Sequence, residues 1–586
     1  MKFLRNLLAA IIGCLVAFGI LFLIVILFAS ILGGSEDMVV VKDGSVLELQ
    51  LQKPILDYVG TNKVDPLAGL FQENQGLDEI LHAIKVAKSD DKVKGISIKN
   101  NFTIAGLAQM QAIRNALEDF KESGKFIYAF GDFYMQKDYY LASVADKMYV
   151  NIVGGIDFKG LSSEVLFFKD LQEKTGVKME VIRYGKYKSA VEPFLSNTMS
   201  DANRTQIKEL IGSLWSSMVD GIAKSRKMSS ENLNVIADTL GGRTTKYAHL
   251  SGLIDGALHF DAYENILKEE VGVSKEDDLV YIHIDDYMMS SSKKKINKGK
   301  DKIAVIYAQG EIIYGEGGPN VIGQDLINKA LKKACASESV KAIVLRVDSP
   351  GGSALTSDII WREVELTKKI KPVVVSMGNV AASGGYYIAA GADKIFAQPT
   401  TITGSIGVFG VIPNLTELAK DMGINAEQVG TNKNSVDYSV FEPMTDTFRG
   451  HMQEGIEEIY DTFLSRVSKG RGITMEEADA LAQGRVWSGT DAKRLGLVDE
   501  LGGLDDAIAA AAEMVNLDTY GIKKYPKYKT GLEKIMEDLG GAGASFKSKI
   551  IKEEIGVEAY NILKEVQGVM NQKGAQARVP FVLNIK

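Results

Sequence analysis

The chain has 586 residues, of which 46% are hydrophobic and 24% charged, as is ordinary for globular protein. Its length indicates several domains, because single hydrophobic cores stop growing at about 250–300 residues. The net charge of -7 gives no reason to expect nucleic-acid binding. Two cysteines, Cys14 and Cys335, exclude a disulfide framework and a cysteine-based zinc site. The His, Asp and Glu residues show no ligand spacing, so we expect no metal and no other cofactor.

The first predicted element is a membrane-spanning helix. An uncharged apolar run extends from about Leu7 to Leu32, longer than the roughly 20 residues that cross a bilayer. Cleaved signal sequences have shorter apolar regions, although Gly33-Gly-Ser35 keeps that alternative open. Basic residues precede the run and acidic residues follow it, which places the rest of the chain outside the cytoplasm. We therefore expect a single-pass anchor in the inner membrane of a Gram-negative cell, with the remainder in the periplasm.

The rest of the chain alternates strands and helices, and it does so twice. Short β-branched runs at 341–347 and 372–376 are typical of buried parallel strands, and a helical pattern separates them. The first half repeats this order, since residues 139–147 match residues 386–394 at a constant offset. Such alternation with short loops predicts an α/β fold with parallel sheets, present in tandem copies.

Composition suggests where these copies begin and end. We predict an anchor at 1–35, a first repeat at 36–292, a linker at 293–301, a second repeat at 302–526 and a helical extension at 527–586. The linker is polar and basic, which favours a solvated segment and leaves contact with lipid headgroups as the alternative.

The first candidate functional segment, Asp348-Ser-Pro-Gly-Gly-Ser353, directly follows a predicted strand. Gly351 and Gly352 permit backbone conformations that other residues avoid. Such a loop can turn its N–H groups toward one point, as an oxyanion hole requires. A tight strand-to-helix turn would explain the same residues, so both interpretations stay open.

The second segment, Ala381-Ala-Ser-Gly-Gly385, places Ser383 at the predicted start of a helix. Small neighbours let a substrate backbone approach, and a helix N-terminus supplies unpaired N–H groups near the hydroxyl. The alternative role for this serine is an N-cap. Gln136 takes its place in the first repeat, where the small residues are missing. The cluster therefore serves something that only the second repeat does.

The third segment is Thr403-Gly-Ser-Ile-Gly407, which follows the third predicted strand of the second repeat. Its central residue, Ser405, fits two interpretations equally. The hydroxyl could orient a base or a substrate, or the residue could occupy a turn.

These segments, together with Gly185-Lys-Tyr-Lys-Ser-Ala-Val-Glu-Pro-Phe194 in the first half, resemble the signal peptide peptidase A family of serine proteases in its long form. The resemblance implies a tandem duplication of a ClpP/crotonase-like α/β spiral. It implies that the second repeat holds the nucleophile, Ser383, and that the first donates a lysine, Lys188. It also implies a homotetramer that degrades cleaved signal peptides at the membrane.

A lysine base needs an unusual environment. A serine hydroxyl is a poor nucleophile until a base removes its proton, and no histidine lies near the three segments in sequence. A lysine replaces histidine when burial lowers its pKa from about 10.4 to about 7–8. We therefore expect Lys188 to lie dehydrated between the repeats, with Ser405 bonded to its amine. The oxyanion would meet the N–H groups of Gly384 and of the Gly351-Gly352 loop.

Alternatives remain at the level of residue and of function. Lys186 lies two residues from Lys188, and Lys433 follows Gly430 at the spacing that separates Gly185 from Lys188. Either lysine is an alternative base. A crotonase-type acyl-CoA enzyme and a non-enzymatic membrane scaffold are the alternative functions.

Overall fold

The computed structural model describes residues 2–33, 40–60, 74–292, 294, 296, 299–436, 438–528 and 576–578. A single apolar helix, Lys2–Gly33, stands at the N-terminus. Its segment Arg5–Leu23 is entirely unburied, and it is the one candidate membrane span among those residues. The predicted helix is therefore present, and it is long and apolar enough to cross a bilayer. Part of the predicted linker, at 293, 295, 297 and 298, lies outside the described residues.

The first half of the chain builds a parallel sheet flanked by helices. Its strands are β1 (Ser45–Leu49), β2 (Ile55–Leu56), β3 (Gln75–Gly76), β4 (Val93–Ile98), β5 (Phe126–Gly131), β6 (Lys147–Val150), β7 (Lys178–Tyr184), β8 (Gly256–Ala257) and β9 (Tyr281–His283). Its helices are Leu77–Lys88, Leu107–Lys121, Gln136–Ala142, Lys169–Thr175, Glu192–Leu195, Asp201–Arg226, Ser230–Asp238, Thr245–Leu250, Phe260–Val271 and Ile284–Ser291. The sheet order is β8-β6-β5-β4-β1-β9, and β2 pairs separately with β3.

The second half builds a larger sheet of the same kind. Its strands are β10 (Lys302–Gln309), β11 (Glu311–Ile313), β12 (Gly317–Gly318), β13 (Val321–Gly323), β14 (Val340–Ser349), β15 (Gly351–Ser353), β16 (Val373–Ala382), β17 (Lys394–Ala397), β18 (Ile402–Gly404), β19 (Val408–Asn414), β20 (Val486–Ser488), β21 (Glu500–Leu501), β22 (Gly521–Tyr525) and β23 (Gln576–Arg578). Its helices are Gln324–Ala336, Ala354–Lys368, Gly384–Ala389, Thr416–Asp421, Asp446–Arg471, Met475–Leu481, Gly489–Arg494 and Leu504–Glu513. The main sheet runs β20-β18-β16-β14-β10-β22.

The central strands are buried on both faces, which explains their β-branched composition. In β14, Ile343 and Val344 are both fully buried, and they point to opposite faces of the sheet. Helices cover the two faces, so each repeat has a hydrophobic core of its own. The predicted α/β class is therefore confirmed.

The sequence echo between the halves corresponds to repeated hydrogen bonds. The hydroxyl of Tyr139 donates to Leu253 O at 3.0 Å, and that of Tyr386 donates to Leu497 O at 2.8 Å. Each tyrosine begins one of the matched segments. Each leucine lies in a second pair of similar segments, Gly252-Leu-Ile-Asp255 and Gly496-Leu-Val-Asp499. The two halves therefore close their cores in the same way, as a tandem duplication requires.

One strand of the first half leaves that half's sheet. β7 pairs antiparallel with β19 along its whole length, from Lys178 against Asn414 to Tyr184 against Val408. This pairing belongs to a third sheet, with the order β12-β13-β11-β15-β23-β19-β7. The residues that follow β7 are thereby delivered to the second repeat.

The structure describes the predicted helical extension over 527–586 only at 527, 528 and 576–578, and these residues are not helical. Residues Gln576–Arg578 form strand β23, which pairs with β15 and β19. Pairing with the edges of β15 and β19 supplies hydrogen-bond partners for the backbone of these residues, which an isolated helical turn would lack. The remainder of the extension, 529–575 and 579–586, lies outside the described residues.

Candidate active site

The loop after β7 docks against a loop of the second repeat. The chain turns at Gly185, whose φ of 108° is open mainly to glycine. The Tyr187 N–H then donates to the carbonyl of Gln483 at 2.7 Å. On the other side, the Gln206 amide donates to Tyr187 O at 3.0 Å and to Ser189 Oγ at 2.7 Å. The backbone on both sides of Lys188 is therefore held in place.

Two glycines leave the space that the Lys188 side chain fills. A Cβ at Gly484 would lie 2.6 Å from the Cβ of Lys188, and one at Gly407 would lie 3.2 Å from its Cδ. Gly484 also has a φ of 79°. Any side chain at position 484 would displace the lysine backbone, so this glycine defines the wall of the lysine channel.

The amine of Lys188 ends among serine oxygens. Its Nζ lies 2.9 Å from Ser383 Oγ, 3.0 Å from Ser405 Oγ and 3.0 Å from Ser405 O. Lys188 has no exposed surface, and neither have the two serines. Desolvation holds the pKa of Lys188 well below the ordinary lysine value. The structure thus brings Lys188 together with two serines that lie 195 and 217 positions away in sequence.

Ser383 is held in a conformation that is uncommon for a non-glycine residue. Its φ and ψ are 56° and -117°, and its side chain makes no capping hydrogen bond to the helix Gly384–Ala389. The Ser383 N–H donates to Gly404 O at 2.8 Å, which fixes this turn against β18. Ser383 therefore occupies the N-cap position of this helix, but its hydroxyl does not cap the helix. The strained turn instead points the hydroxyl toward Lys188.

Ser405 lies in a turn and also contacts the amine of Lys188. It occupies a turn with a φ of 52°, and its N–H donates to Arg485 O at 2.6 Å. Its Oγ and O both accept from Lys188. The turn conformation directs two oxygens of one residue at the same amine.

The predicted oxyanion glycines lie beside the serine but differ in what they face. The N–H of Gly351 donates to Ser349 Oγ at 3.2 Å. A Cβ at Gly351 would lie 2.8 Å from the Gly384 nitrogen, so these two residues are in close contact. Gly352 pairs with Ile312 of β11, and a Cβ there would lie 2.1 Å from the Ile312 oxygen. Gly352 therefore packs against β11, whereas Gly351 and Gly384 lie against each other beside Ser383.

The other predicted lysines lie elsewhere. Lys186 and Lys433 are both exposed, in contrast to Lys188. In the first repeat, the position of Ser383 is taken by Gln136, whose side-chain oxygen accepts from the N–H groups of Lys159 and Gly160 at 3.0 and 2.9 Å. A side-chain amide that bonds to the backbone thus occupies the position equivalent to Ser383 in the first repeat.

Sequence reasoning missed the loop Gln483–Arg485 and the amide of Gln206, which hold the lysine loop. Neither segment carries a motif that points to chemistry, and each lies far from Lys188 or Ser383 in sequence. Of these residues only Gly484 stands out in the sequence, as an isolated glycine between polar residues. That pattern is common in turns and does not indicate contact with a catalytic residue. Among the described residues, no group of three or more His, Cys, Asp or Glu side chains is placed to hold a metal ion.

Comparison with known proteins identifies the family. The profile of Peptidase family S49 matches the chain twice, at 119–274 and 365–518. Protease 4 from Haemophilus influenzae is 39% identical over 448 residues, which cover 75% of this chain and 73% of the relative. Protease 4 from Salmonella typhi is 39% identical over 482 residues, covering 80% and 77%.

The similarity extends to a plant protein. The chloroplastic serine protease SPPA of Arabidopsis thaliana is 30% identical over 557 residues, which cover 93% of this chain and 78% of the relative. The predicted resemblance and the predicted duplication are both confirmed by these matches. The chain belongs to peptidase family S49, in the long form that carries the family domain twice.

Proposed function

We propose that this serine peptidase cleaves peptides with a catalytic dyad of Ser383 and Lys188. The observation that carries the proposal is the 2.9 Å contact between Lys188 Nζ and Ser383 Oγ in a site with no exposed surface. Desolvation lowers the pKa of the Lys188 amine well below the ordinary lysine value, which favours the neutral form that can accept a proton. In this proposal the first repeat, 36–292, donates the base, and the second, 302–526, carries the nucleophile.

The reaction would follow the acyl-enzyme route. Lys188 accepts the Ser383 proton while Oγ attacks the peptide carbonyl carbon, and the carbonyl oxygen becomes an oxyanion. The N–H of Gly384, at the start of a helix, and the adjacent Gly351 loop would face that oxygen. Lys188 then returns the proton to the leaving amine. Water, deprotonated by the same lysine, hydrolyses the ester and frees the serine.

Ser405 would act as a positioning residue in this scheme. Its two oxygens accept from Lys188 and leave one direction of the amine for Ser383. The contacts favour a single orientation of the lone pair toward the nucleophile.

We further propose that the substrates are cleaved signal peptides and that the chain works as a homotetramer in the inner membrane, with both repeats in the periplasm. The apolar helix Lys2–Gly33 would hold the site next to the bilayer in which such peptides are released. Family S49 membership supports a peptidase over an acyl-CoA enzyme or a scaffold.

The decisive experiment compares four variants of the full chain in detergent. Ser383→Ala and Lys188→Ala are each expected to lower kcat on a fluorogenic apolar peptide by at least about 10³-fold, as loss of a dyad member removes nucleophile or base. Lys186→Ala and Lys433→Ala serve as matched controls and are expected to retain the wild-type rate, because both side chains are exposed.

A fluorophosphonate probe gives an independent readout. We expect it to label the wild type at Ser383 and to leave Ser383→Ala unlabelled. Full peptide turnover by Lys188→Ala, or loss of turnover in Lys433→Ala with the fold intact, would refute the assignment of the base.

A further inference from the structure

A short segment of the second repeat, residues 483–485, contacts two parts of the candidate site. On one side it binds the loop that carries Lys188. The Tyr187 N–H donates to the backbone oxygen of Gln483 at 2.7 Å, and the Lys186 N–H donates to the side-chain Oε1 of Gln483 at 3.3 Å. The backbone just before Lys188 is therefore attached to one residue of the other repeat.

The other side of the segment 483–485 binds the turn of Ser405. The Ser405 N–H donates to Arg485 O at 2.6 Å, and the Gly484 N–H donates to Ile406 O at 2.8 Å. The Oγ and O atoms that accept from the candidate base both belong to Ser405. The segment therefore sets the position of the base and the position of the residue that orients its amine.

Gln483 adopts a backbone conformation that is uncommon for a residue other than glycine. Its φ is 53°, and the φ of Gly484 is 79°. Such a conformation persists where the surroundings enforce it, and it is frequent at functional sites. A trans peptide directs its C=O and its N–H to opposite sides. The single peptide group between Gln483 and Gly484 can therefore bridge the loop of Lys188 and the turn of Ser405.

Tyr460 and Asp479 bind Gln483 through both its backbone and its side chain. The Tyr460 hydroxyl donates to Asp479 Oδ1 at 2.5 Å and accepts from the Gln483 N–H at 3.3 Å. The Gln483 side-chain amide donates to the same carboxylate oxygen at 2.6 Å. The ring of Tyr460 packs on that of Tyr184, the last residue of β7, with centroids 4.6 Å apart.

The surroundings of Tyr460 keep this arrangement of donors and acceptors fixed. Its side chain is almost fully buried in the helix Asp446–Arg471. Burial and the hydrogen bond to Asp479 raise the pKa of Tyr460, so the hydroxyl stays protonated and remains a donor. Buried networks in which each polar group has a partner hold their members rigidly.

We propose that Tyr460 and Asp479 are positioning residues for the proposed dyad and that they act through Gln483. They hold the segment 483–485 in the conformation that fixes the loop of Lys188. This role rests on the proposed function, in which Lys188 is the base.

Loss of these contacts changes two measurable properties of Lys188. Displacement of the amine by about 1 Å lowers the rate, because proton transfer depends on alignment with the nucleophile. Water that reaches the amine raises its pKa, because burial is what lowers it. A residue that only stabilises the fold alters neither property in the folded enzyme.

The test uses the full chain in detergent and a fluorogenic apolar peptide. Tyr460→Phe removes the hydroxyl and keeps the ring. We expect kcat to fall about 10-fold while KM stays within about twofold, because the change acts on the base. The acid limb of the kcat/KM profile reports the pKa of the base in the free enzyme, and we expect it to move to higher pH.

Two variants of Asp479 supply an independent test and a rescue. Asp479→Ala removes the acceptor of both Tyr460 and Gln483, and we expect the same fall in kcat and the same shift of the acid limb. Asp479→Asn keeps an acceptor oxygen, so we expect it to recover most of the wild-type rate. This pair also carries the test if Tyr460→Phe fails to fold.

Tyr287→Phe is the matched control. Tyr287 is a buried tyrosine of the first repeat whose hydroxyl donates to the carboxylate of Asp90 at 3.0 Å. We expect both phenylalanine variants to lose similar thermal stability in differential scanning fluorimetry, and only Tyr460→Phe to change kcat and the acid limb. The kinetics are compared at a temperature at which both variants are folded.

The outcomes separate this role from the proposed function. An unchanged kcat and acid limb in folded Tyr460→Phe would overturn the positioning role, and so would equal kinetic losses in Tyr287→Phe. Full turnover by Lys188→Ala would overturn the proposed function and this role together. If Lys188→Ala is inactive and Tyr460→Phe has wild-type kinetics, the dyad stands and only the role of Tyr460 falls.

Discussion

Lys188 is a costly residue to bury, and its protonation couples the site to the stability of the fold. Its amine contacts serine oxygens, and desolvation lowers its pKa. In the unfolded chain the lysine pKa is about 10.4, so the unfolded state binds this proton more tightly than the folded state. The free energy of unfolding therefore rises with pH up to about 10.4 and falls as pH is lowered toward the folded pKa.

Replacement of Lys188 by methionine should remove this pH dependence. In a Ser383→Ala background, we expect the unfolding free energy of the lysine-containing protein to fall relative to Lys188→Met between pH 10 and pH 7. Each unit of lowered pKa contributes about 1.4 kcal/mol to the difference. Urea denaturation at several pH values measures it, with the exposed Lys433→Met as control. A difference that stays constant with pH would contradict a neutral buried amine.

Gly484 offers a second test at the residue scale because the chain contains a matched glycine. Gly484 and Gly496 both have a φ of 79°, but only Gly484 has Lys188 atoms at 2.6 Å from a hypothetical Cβ, whereas Gly496 has open space. We expect both alanine variants to lose about 1–2 kcal/mol of stability from the left-handed backbone. Gly484→Ala should also lower kcat by about 10²-fold, because it moves the base. Equal kcat values for the two variants would show that Gly484 does not position Lys188.

At the scale of elements, the site depends on a strand that the first repeat gives to the second. β7 pairs with β19 over seven residues of each strand, and the loop that follows it carries Lys188. The long helix Asp201–Arg226 then closes over that loop through the buried amide of Gln206. The base is therefore positioned by a sheet on one side and by a helix on the other.

Removal of the Gln206 side-chain amide should loosen the loop that carries Lys188, while Lys188 and Ser383 themselves are retained. In Gln206→Leu, the carbonyl of Tyr187 and the hydroxyl of Ser189 lose a donor, while the side-chain volume stays similar. We expect kcat to fall about 10-fold with KM nearly unchanged, since the substrate cleft is untouched. Steady-state kinetics measures both, and the exposed Lys208→Leu on the same helix is the control. A rise in KM alone would argue against a positioning role.

At the scale of the whole molecule, a buried polar network joins the repeats. Arg346 Nε lies 2.6 Å from Asp57 Oδ2, and both side chains are almost completely buried. The amide of Gln109 donates to the other oxygen of Asp57 at 2.9 Å. The neighbouring Asp348 accepts from the Val380 N–H at 2.9 Å and from the Asn379 amide at 3.3 Å. Although Asp348 keeps some exposed surface, desolvation and repulsion from Asp57 raise its pKa to about 7.

This network predicts a pH-dependent repeat interface. A carboxyl group with a raised folded pKa stabilises the fold fully below its unfolded pKa of about 3.9 and loses that contribution as pH rises toward about 7. We expect the Tm of the wild type to fall relative to that of Asp348→Asn between pH 5 and pH 8, because the contribution of Lys188 is the same in both proteins. Differential scanning fluorimetry measures both, with the exposed Asp91→Asn as control. An identical pH response in Asp348→Asn and wild type would contradict the raised pKa.

The sequence by itself predicted the α/β class, the duplication, the apolar helix and Ser383 as a candidate residue, and only the family resemblance added Lys188. These features depend on local patterns: β-branched runs, a fixed repeat offset, and small-residue motifs. It did not reveal that β7 pairs with a strand of the other repeat, that Gln206 and Gly484 contact the loop of Lys188, or that β23 pairs with β15 and β19. Except for those of Gln206, these contacts join residues that are hundreds of positions apart. A strand edge or a cavity acquires a specific partner only when the chain packs. The tertiary structure alone therefore decided these contacts.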